Sequence, residues 1–176
     1  VVLWAVTLLN VYGLSRARWL QNVGGIATIV LTAQVLIGGA LAWWKFGAAT
    51  PIHIGNLLPD FTSVSTFGIF AIMLLAYTGL ELGPILGDEI RNSARSIRRA
   101  ILISGVVIVL TYVAGTGALL VALPADQISV ISGIPEAMEA IGQRGGFVAF
   151  GLIAAVLLAI SSAGGLGAWI TGTARL

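Results

Sequence analysis

Charge is what this sequence lacks most. Only 9% of its 176 residues are Asp, Glu, Lys or Arg, whereas soluble domains carry about 25%. Apolar residues make up 58%, and the mean hydropathy is +1.03. These polar side chains are too few to cover the surface of a soluble globule. A domain with its core buried in water is therefore the weaker interpretation.

Cysteine is absent, and histidine occurs once, as His53 in a predicted loop. No disulfide or thiolate metal site can therefore form, and a single histidine without a ligand cluster is typical of a solvated surface residue. The arginines flank hydrophobic segments rather than forming a patch with interleaved aromatics, which argues against nucleic acid despite the net charge of +2. We expect no metal, no cofactor and no nucleic-acid partner. We also expect no enzyme, because the hydrophobic segments contain no metal or triad cluster.

Long uncharged runs are what the sequence has instead. Four of them extend over 20 residues or more: 19–44, 61–80, 100–125 and 145–174. About 20 apolar residues, at ~1.5 Å of rise each, cross the ~30 Å hydrocarbon layer of a bilayer. The chain is therefore predicted to be all-α, a polytopic bundle of membrane helices that forms one transmembrane domain.

Five spans are predicted, and the first of them is partial. They cover about 1–12, 19–44, 66–90, 100–123 and 146–172. The first is too short to cross a bilayer by itself. It is typical of the end of a longer span, so we interpret the chain as an internal piece of a larger protein.

The basic residues lie mainly on one side of these spans. Seven of the nine fall in the loops after the first and third spans or beyond the last one: Arg16, Arg18, Arg91, Arg95, Arg98, Arg99 and Arg175. Cytoplasmic loops of membrane proteins carry the excess of Lys and Arg. We therefore expect loops 13–18 and 91–99 to be cytoplasmic.

The loop 124–144 contains a helix signal. Pro135 is followed by Glu136 and Glu139, and a proline with acids in the first turn indicates helix initiation. We expect a short helix on the outer face. It would be either a solvated linker or a cap over an outer vestibule.

The third span differs from the others because its helix is predicted to break near 77–83. Gly79 and Gly83 lower helix propensity, and Pro84 cannot donate to the carbonyl of residue 80. The segment lies near mid-membrane, where unpaired backbone is tolerated only if it is buried in protein or lines a polar cavity. A discontinuous helix at that depth is the best sequence indication of a transporter binding site.

Two side chains within spans are further candidates for function. Glu81 is a carboxylate in a span, which is energetically expensive and usually functional, here as a gate or proton site. It could instead cap the second half-helix or already lie in water. Trp169 follows small residues that would let its ring face a cavity, or it is an interfacial anchor. The glycine pairs at 24–25, 38–39 and 164–165 are more simply interpreted as packing contacts.

Four segments resemble the amino acid–polyamine–organocation permeases and occur in that family's order. They are 9–21, 76–81, 89–100 and 167–170. Segment 9–21 is similar to the junction of the family's fourth and fifth helices, and 76–81 to the aromatic-x-Gly-x-Glu motif of its broken sixth helix. Segment 89–100 is similar to the cytoplasmic loop that follows, with its Asn and Arg residues, and 167–170 to the eighth helix. The bacterial branch that includes arginine/agmatine and glutamate/GABA exchangers looks closest.

The resemblance implies an inverted-repeat (5+5) transporter fold of twelve helices, of which this chain would contribute helices four to eight. The first helix, whose break supplies the other half of the site, would be absent from this chain. The implied substrate-binding residues are Leu75, Ala76, Tyr77, Thr78, Gly79 and Trp169. The backbone of 76–79 would contact the substrate's amino or carboxylate group, and Trp169 would be a lower gate. Glu81 would resemble the family's pH-linked gate carboxylate.

The sequence departs from the family pattern at three places. Leu75 stands where arginine exchangers carry a Trp, which puts arginine in doubt as a substrate. Ser93 and Arg98 replace two usual prolines of the cytoplasmic loop. The segment 19–44 contains no Lys, although some proton-coupled relatives carry one in the corresponding helix.

The residues and the resemblance together predict a secondary active amino-acid transporter. It would be a permease or antiporter that works by alternating access in the bacterial inner (plasma) membrane. Its partners would be a small amino acid or amine and the lipid bilayer, with protons and a homodimer left open. The alternatives are a channel-like or scaffold membrane subunit, and a fragment that is inactive because it lacks the first-helix half of the site.

Overall fold

The computed structural model describes residues 2–11, 14–51, 62–76, 78, 92–129 and 132–174. Within these ranges the elements are α1 (Val2–Val11), α2 (Leu14–Phe46), α3 (Val64–Ala76), α4 (Ser93–Ala122), α5 (Gly133–Gly145) and α6 (Phe150–Thr173). A 3-10 turn, Ala125–Gln127, precedes α5, and no strand occurs in the described ranges.

Three helices of the described structure are long and apolar enough to cross a bilayer: Arg18–Phe46 of α2, Ser93–Ala122 and Phe150–Thr173. Helices α2 and α4 contain 33 and 30 residues, which at ~1.5 Å of rise each exceeds the ~30 Å hydrocarbon layer. Both begin before the apolar runs predicted as spans, because the arginines at their starts are good helix formers and continue the helix beyond the hydrocarbon. The predicted all-α membrane fold is confirmed.

Helices α2 and α6 form the centre of the described structure. They run antiparallel, since Gly24 lies against Gly164 while Gly38 lies against the ring of Phe150, at the start of α6. Helix α1 packs against both of them and buries Val6. Contacts between α2 and α6 extend from Thr171 to Phe150, which is most of the length of α6.

Helix α5 packs across one end of α2, α4 and α6, and we call this end of the molecule the α5 end. Met138 and Ala137 of α5 are fully buried there. Pro135 lies near the start of the helix, as its sequence predicts. A solvated linker does not fit this arrangement, because α5 contributes to the main hydrophobic core.

Helix α4 joins the bundle only at the α5 end. Its buried residues, Ala118, Val121 and Ala122, all lie in its last two turns. The loop after α2 caps these turns: the backbone N–H of Ala49 donates to the carbonyl of Val121 at 3.0 Å, and that of Thr50 donates to the carbonyl of Leu120 at 3.0 Å. The last carbonyls of a helix have no partner within it, so this loop holds α2 and α4 together.

Helix α3 lies apart from the other described helices and makes no substantial packing contact with them. Its large apolar side chains are exposed, including Phe67, Phe70 and Met73. It ends at Ala76. Residues 77 and 79–91 lie outside the described residues, so the predicted break near 77–83 stays a prediction.

Candidate functional site

The predicted substrate-binding residues fall at the edge of the described structure. Leu75 and Ala76 are the last two residues of α3, and Thr78 lies in a turn with an exposed side chain. Three of the predicted residues lie outside the described ranges: Tyr77, Gly79 and Glu81. The described residues therefore do not bring the predicted site together, and its composition stays a prediction.

Trp169 is a predicted site residue within a described helix, α6. Its side chain is 39% exposed. It lies two residues, or about 200°, from Gly167, which is buried and faces α1 and the start of α2. The ring therefore lies on the side of α6 turned away from α1 and α2. Such a ring is open to the bilayer or to a neighbouring cavity, so both interpretations of Trp169 remain.

Gly24 of α2 and Gly164 of α6 make a backbone contact between the two helices. A Cβ atom added to either glycine would lie 2.6 Å from the Cα atom of the other, so the two backbones touch and no side chain fits between them. Lipid offers no hydrophobic drive for helix association, and close backbone approach of this kind is what stabilises membrane bundles. The neighbouring glycines, Gly25 and Gly165, face open space. In the pairs 24–25 and 164–165 only one glycine serves the predicted packing role, whereas in the pair 38–39 both do, Gly38 against Phe150 and Gly39 against Ala118.

Uncharged polar side chains bridge α2 and α6 on both sides of this contact. The Gln21 side-chain amide donates to Thr171 Oγ1 at 2.9 Å and to the carbonyl of Gly167 at 3.2 Å. The hydroxyls of Thr28 and Ser161 lie 2.6 Å apart. We call this set of contacts, from Gln21 to the approach of Gly38 to α6, the α2–α6 seam.

Gln34 extends the seam toward the α5 end. Its Nε2 donates to the carbonyl of Phe150 at 2.7 Å. Its Oε1 is buried without a hydrogen-bond partner in the described structure. An unpartnered acceptor in a low-dielectric environment is unfavourable, so Gln34 stabilises the seam less than Gln21 does.

These polar residues were not among the residues predicted from the sequence. The available signal was the spacing of two of them: Gln21 and Thr28 lie seven residues apart in a mostly apolar run that also contains Asn22 and Thr32. An interval of seven residues places two side chains on one face of a helix, whereas Gln34, six residues after Thr28, falls about 120° away in an ideal helix. Their partners on α6 could not be identified without the register between the two helices.

In the three long apolar helices that the structure describes, the charged side chains lie near the helix ends. No group of three or more His, Cys, Asp or Glu side chains occurs there that could hold a metal ion. The described portions of the spans therefore offer backbone, hydroxyl, amide and aromatic groups. These groups can bind a small polar molecule but supply no acid or base.

Comparison with known proteins identifies the family. The amino acid permease family matches residues 1–176. The chain is similar to an uncharacterized transporter of Legionella pneumophila, with 26% identity over 176 residues, which cover 98% of this chain and 37% of the relative. It is also similar to a glutamate/γ-aminobutyrate antiporter of Lactococcus lactis subsp. cremoris, with 23% identity over 99% of this chain and 36% of the relative.

A third relative is a probable agmatine/putrescine antiporter of Lactococcus lactis subsp. lactis, with 23% identity over 98% of this chain and 36% of that protein. The chain thus spans little more than a third of the length of these curated relatives. No solved structure matches it. The resemblance to amino acid–polyamine–organocation permeases is confirmed, and the chain belongs to the amino acid permease family of that superfamily.

Proposed function

We propose that this chain is part of a secondary transporter that moves amino acids or related amines across a membrane by alternating access. The observation that carries the proposal is the match of the amino acid permease family to all 176 residues. The names of two relatives, a glutamate/γ-aminobutyrate antiporter and a probable agmatine/putrescine antiporter, favour an antiporter. Both pairs consist of an amino acid or amine and its decarboxylated or related product, so the proposed substrates are small zwitterions or amines.

The proposed substrate site lies at the end of α3. Helix α3 is described as far as Ala76, and Thr78 lies in a turn. This agrees with a segment whose sequence disfavours helix from Gly79 onward. Backbone groups released by such a break could bind the amino or carboxylate group of the substrate. Glu81 would be the gate or proton-linked carboxylate, and Trp169 a gate residue on α6.

The packing of the described helices supports a division into a fixed part and a moving part. Helices α1, α2 and α6 pack against one another, and the α2–α6 seam combines backbone contact with side-chain hydrogen bonds. Helix α3 has no comparable contact with this trio, and α4 joins it only at the α5 end. Alternating access by rocking of one helix group against another requires such a difference in packing. In this proposal α3 and α4 belong to the group that moves.

The proposed orientation follows from the basic residues. Loops 13–18 and 91–99 would be cytoplasmic, and α5 would lie on the outer face. Helix α5 then covers the outer ends of α2, α4 and α6, as expected for a cap.

The test is exchange in proteoliposomes by the complete transporter that contains this chain. Vesicles loaded with unlabelled glutamate, γ-aminobutyrate, agmatine or putrescine are placed in a labelled substrate, and counterflow is measured. We expect saturable counterflow with at least one of these compounds. Gly79→Trp should reduce it at least about tenfold because the indole would fill the proposed site.

Gly68→Trp is the matched control in the same predicted span. Gly68 lies on α3, and a Cβ atom there meets no other atom of the described structure within 4 Å. This variant should retain most of the transport. Equal transport by both variants would contradict the proposed site, whereas flux that neither saturates nor shows counterflow would favour the channel-like alternative.

A further inference from the structure

A cleft at the α5 end is not used by the proposed transport site. It lies between the last two turns of α2 and the turn that joins α5 to α6, and its volume is about 220 Å³. Its lining includes Leu41, Lys45, Phe46, Ile141, Phe147 and Phe150. The cleft is thus almost entirely apolar, with one cationic side chain.

Two glycines shape this cleft. Gly142 permits the tight turn, because a Cβ atom there would lie 2.5 Å from the carbonyl oxygen of Phe147. Gly146 ends α5 in the left-handed conformation, with a φ of 77°, which favours glycine. This turn presents Phe147 and Phe150 with their rings edge to face at 6.0 Å. The apolar wall is therefore a built feature of the fold.

The mouth of the cleft lies at the level expected for lipid headgroups. Trp43 and Trp44 precede Lys45 in the last turns of α2, and their side chains are 66% and 81% exposed. Exposed tryptophans at the end of a membrane helix mark the interface between hydrocarbon and water. A lysine beside them is at the depth of the phosphate groups.

The charges around the cleft favour an anion. Lys45 is exposed, and Arg144 lies in the last turn of α5, between the cleft-lining residues Gly142 and Gly145. The nearest carboxylate along α5 belongs to Glu139; it accepts a hydrogen bond from Gln143 at 3.1 Å, and the Cβ of Glu139 faces Gly151 of α6. Lys45 and Arg144 also complement the helix dipole, because both lie near a helix C-terminus. That role alone does not explain the apolar wall beside them.

We propose that this cleft binds an anionic phospholipid of the adjacent leaflet, with the phosphate at Lys45 and the upper part of one acyl chain against Phe147 and Phe150. Binding pockets for whole ligands are commonly about 300 to 1,000 Å³, and a cleft of about 220 Å³ is smaller. It therefore takes part of a lipid and leaves the rest in the bilayer. This site depends on the chain being in a membrane and does not depend on the proposed transport.

The experiment is native mass spectrometry of the complete transporter with phosphatidylglycerol or phosphatidylcholine, measuring the affinity for the first bound lipid. We expect phosphatidylglycerol to bind more tightly than phosphatidylcholine. Lys45→Gln should weaken phosphatidylglycerol binding roughly fivefold, the factor for one basic residue near an anionic lipid surface, and should leave phosphatidylcholine binding unchanged. Lys45→Arg, which keeps the charge, should stay within about twofold of the unmodified protein.

Phe147→Ser tests the acyl-chain wall separately. Phe147 is exposed at the cleft, and its loss should weaken the binding of both lipids. Equal affinity for the two lipids in the unmodified protein, or no effect of Lys45→Gln on phosphatidylglycerol, would overturn the proposal. Counterflow measured on the same preparations distinguishes failure of this lipid site from failure of the transport function.

Discussion

Helices α2 and α4 are both apolar, both about 30 residues long, and differ in how they are held. Helix α2 packs against α6 along most of its length, whereas the buried residues of α4 are confined to its last two turns. Both contain several glycines, but Gly105, Gly115 and Gly117 of α4 face open space in the described structure, while Gly24 and Gly39 of α2 touch another helix. Small residues in a membrane helix therefore permit close packing without determining it; a matching surface on the partner is also required.

The comparison also shows what polar side chains add. The α2–α6 seam has side-chain hydrogen bonds at Gln21, Thr28 and Gln34. The α2–α4 junction is held by the loop after α2, through the backbone and the hydroxyl of Thr50, which donates to the carbonyl of Leu123 at 3.0 Å. The first arrangement fixes two helices along their length. The α2–α4 junction fixes only the C-terminal end of α4.

The largest expected effect is on the backbone contact of the seam. Gly164→Leu should lower the free energy of unfolding by about 3 kcal/mol, because its side chain would overlap the Gly24 backbone and the two helices would have to separate. Gly165→Leu is the matched control: its Cβ atom would face open space, so its effect should stay within about 0.5 kcal/mol. Unfolding of the purified protein in mixed detergent measures both. Equal stabilities for the two variants would show that the seam does not hold α2 and α6 together.

A smaller effect is expected at the α2–α4 junction. A Cβ atom added to Gly39 would lie 2.8 Å from the Cα atom of Ala118, so Gly39→Leu should destabilise the protein by about 2 kcal/mol. The effect should be smaller than that of Gly164→Leu because α4 is held at one end and can tilt away. Gly117→Leu, one residue from the junction and facing open space, should be close to neutral. If Gly39→Leu destabilised the protein more than Gly164→Leu, the α2–α4 junction would contribute more to stability than the α2–α6 seam, contrary to this prediction.

The smallest effects are expected from the seam glutamines, and they should differ. Gln21→Leu removes two hydrogen bonds and should cost about 1 kcal/mol, at roughly 0.6 kcal/mol for each bond between membrane helices. Gln34→Leu removes one hydrogen bond together with a buried acceptor that has no partner, and should cost under about 0.5 kcal/mol. The same unfolding measurement compares them. A larger loss for Gln34→Leu would indicate a partner for its Oε1 in the complete protein.

Much of the fold could be predicted from the uncharged runs. They indicate the membrane helices because hydrocarbon excludes unpaired backbone and charge over a fixed thickness. Helix α5 could be expected from Pro135 and the acids that follow it. The first residues of α2 and α4 could not be predicted from these runs, because both helices begin among arginines that lie outside the hydrocarbon.

The candidate site is a different case. Leu75 to Gly79 and Glu81 were selected by helix-breaking residues and by the family resemblance, and three of these six lie outside the described residues. Their roles therefore rest on sequence and family. Trp169 lies on the exposed side of α6, which its sequence neighbours did not indicate, because small residues occur on both sides of it.

The sequence by itself determined that this is a helical membrane protein and indicated the three long apolar helices of the described structure, because these depend on local hydrophobicity and length alone. Its motifs were sufficient to identify the permease family. Only the tertiary structure decided which of the paired glycines touch another helix, that Gln21 and Thr28 pair with α6, and that α4 is held at one end. Those outcomes depend on the register between helices that are distant in sequence. Two residues of the same type, such as Gly24 and Gly25, can therefore differ in whether they contact another helix.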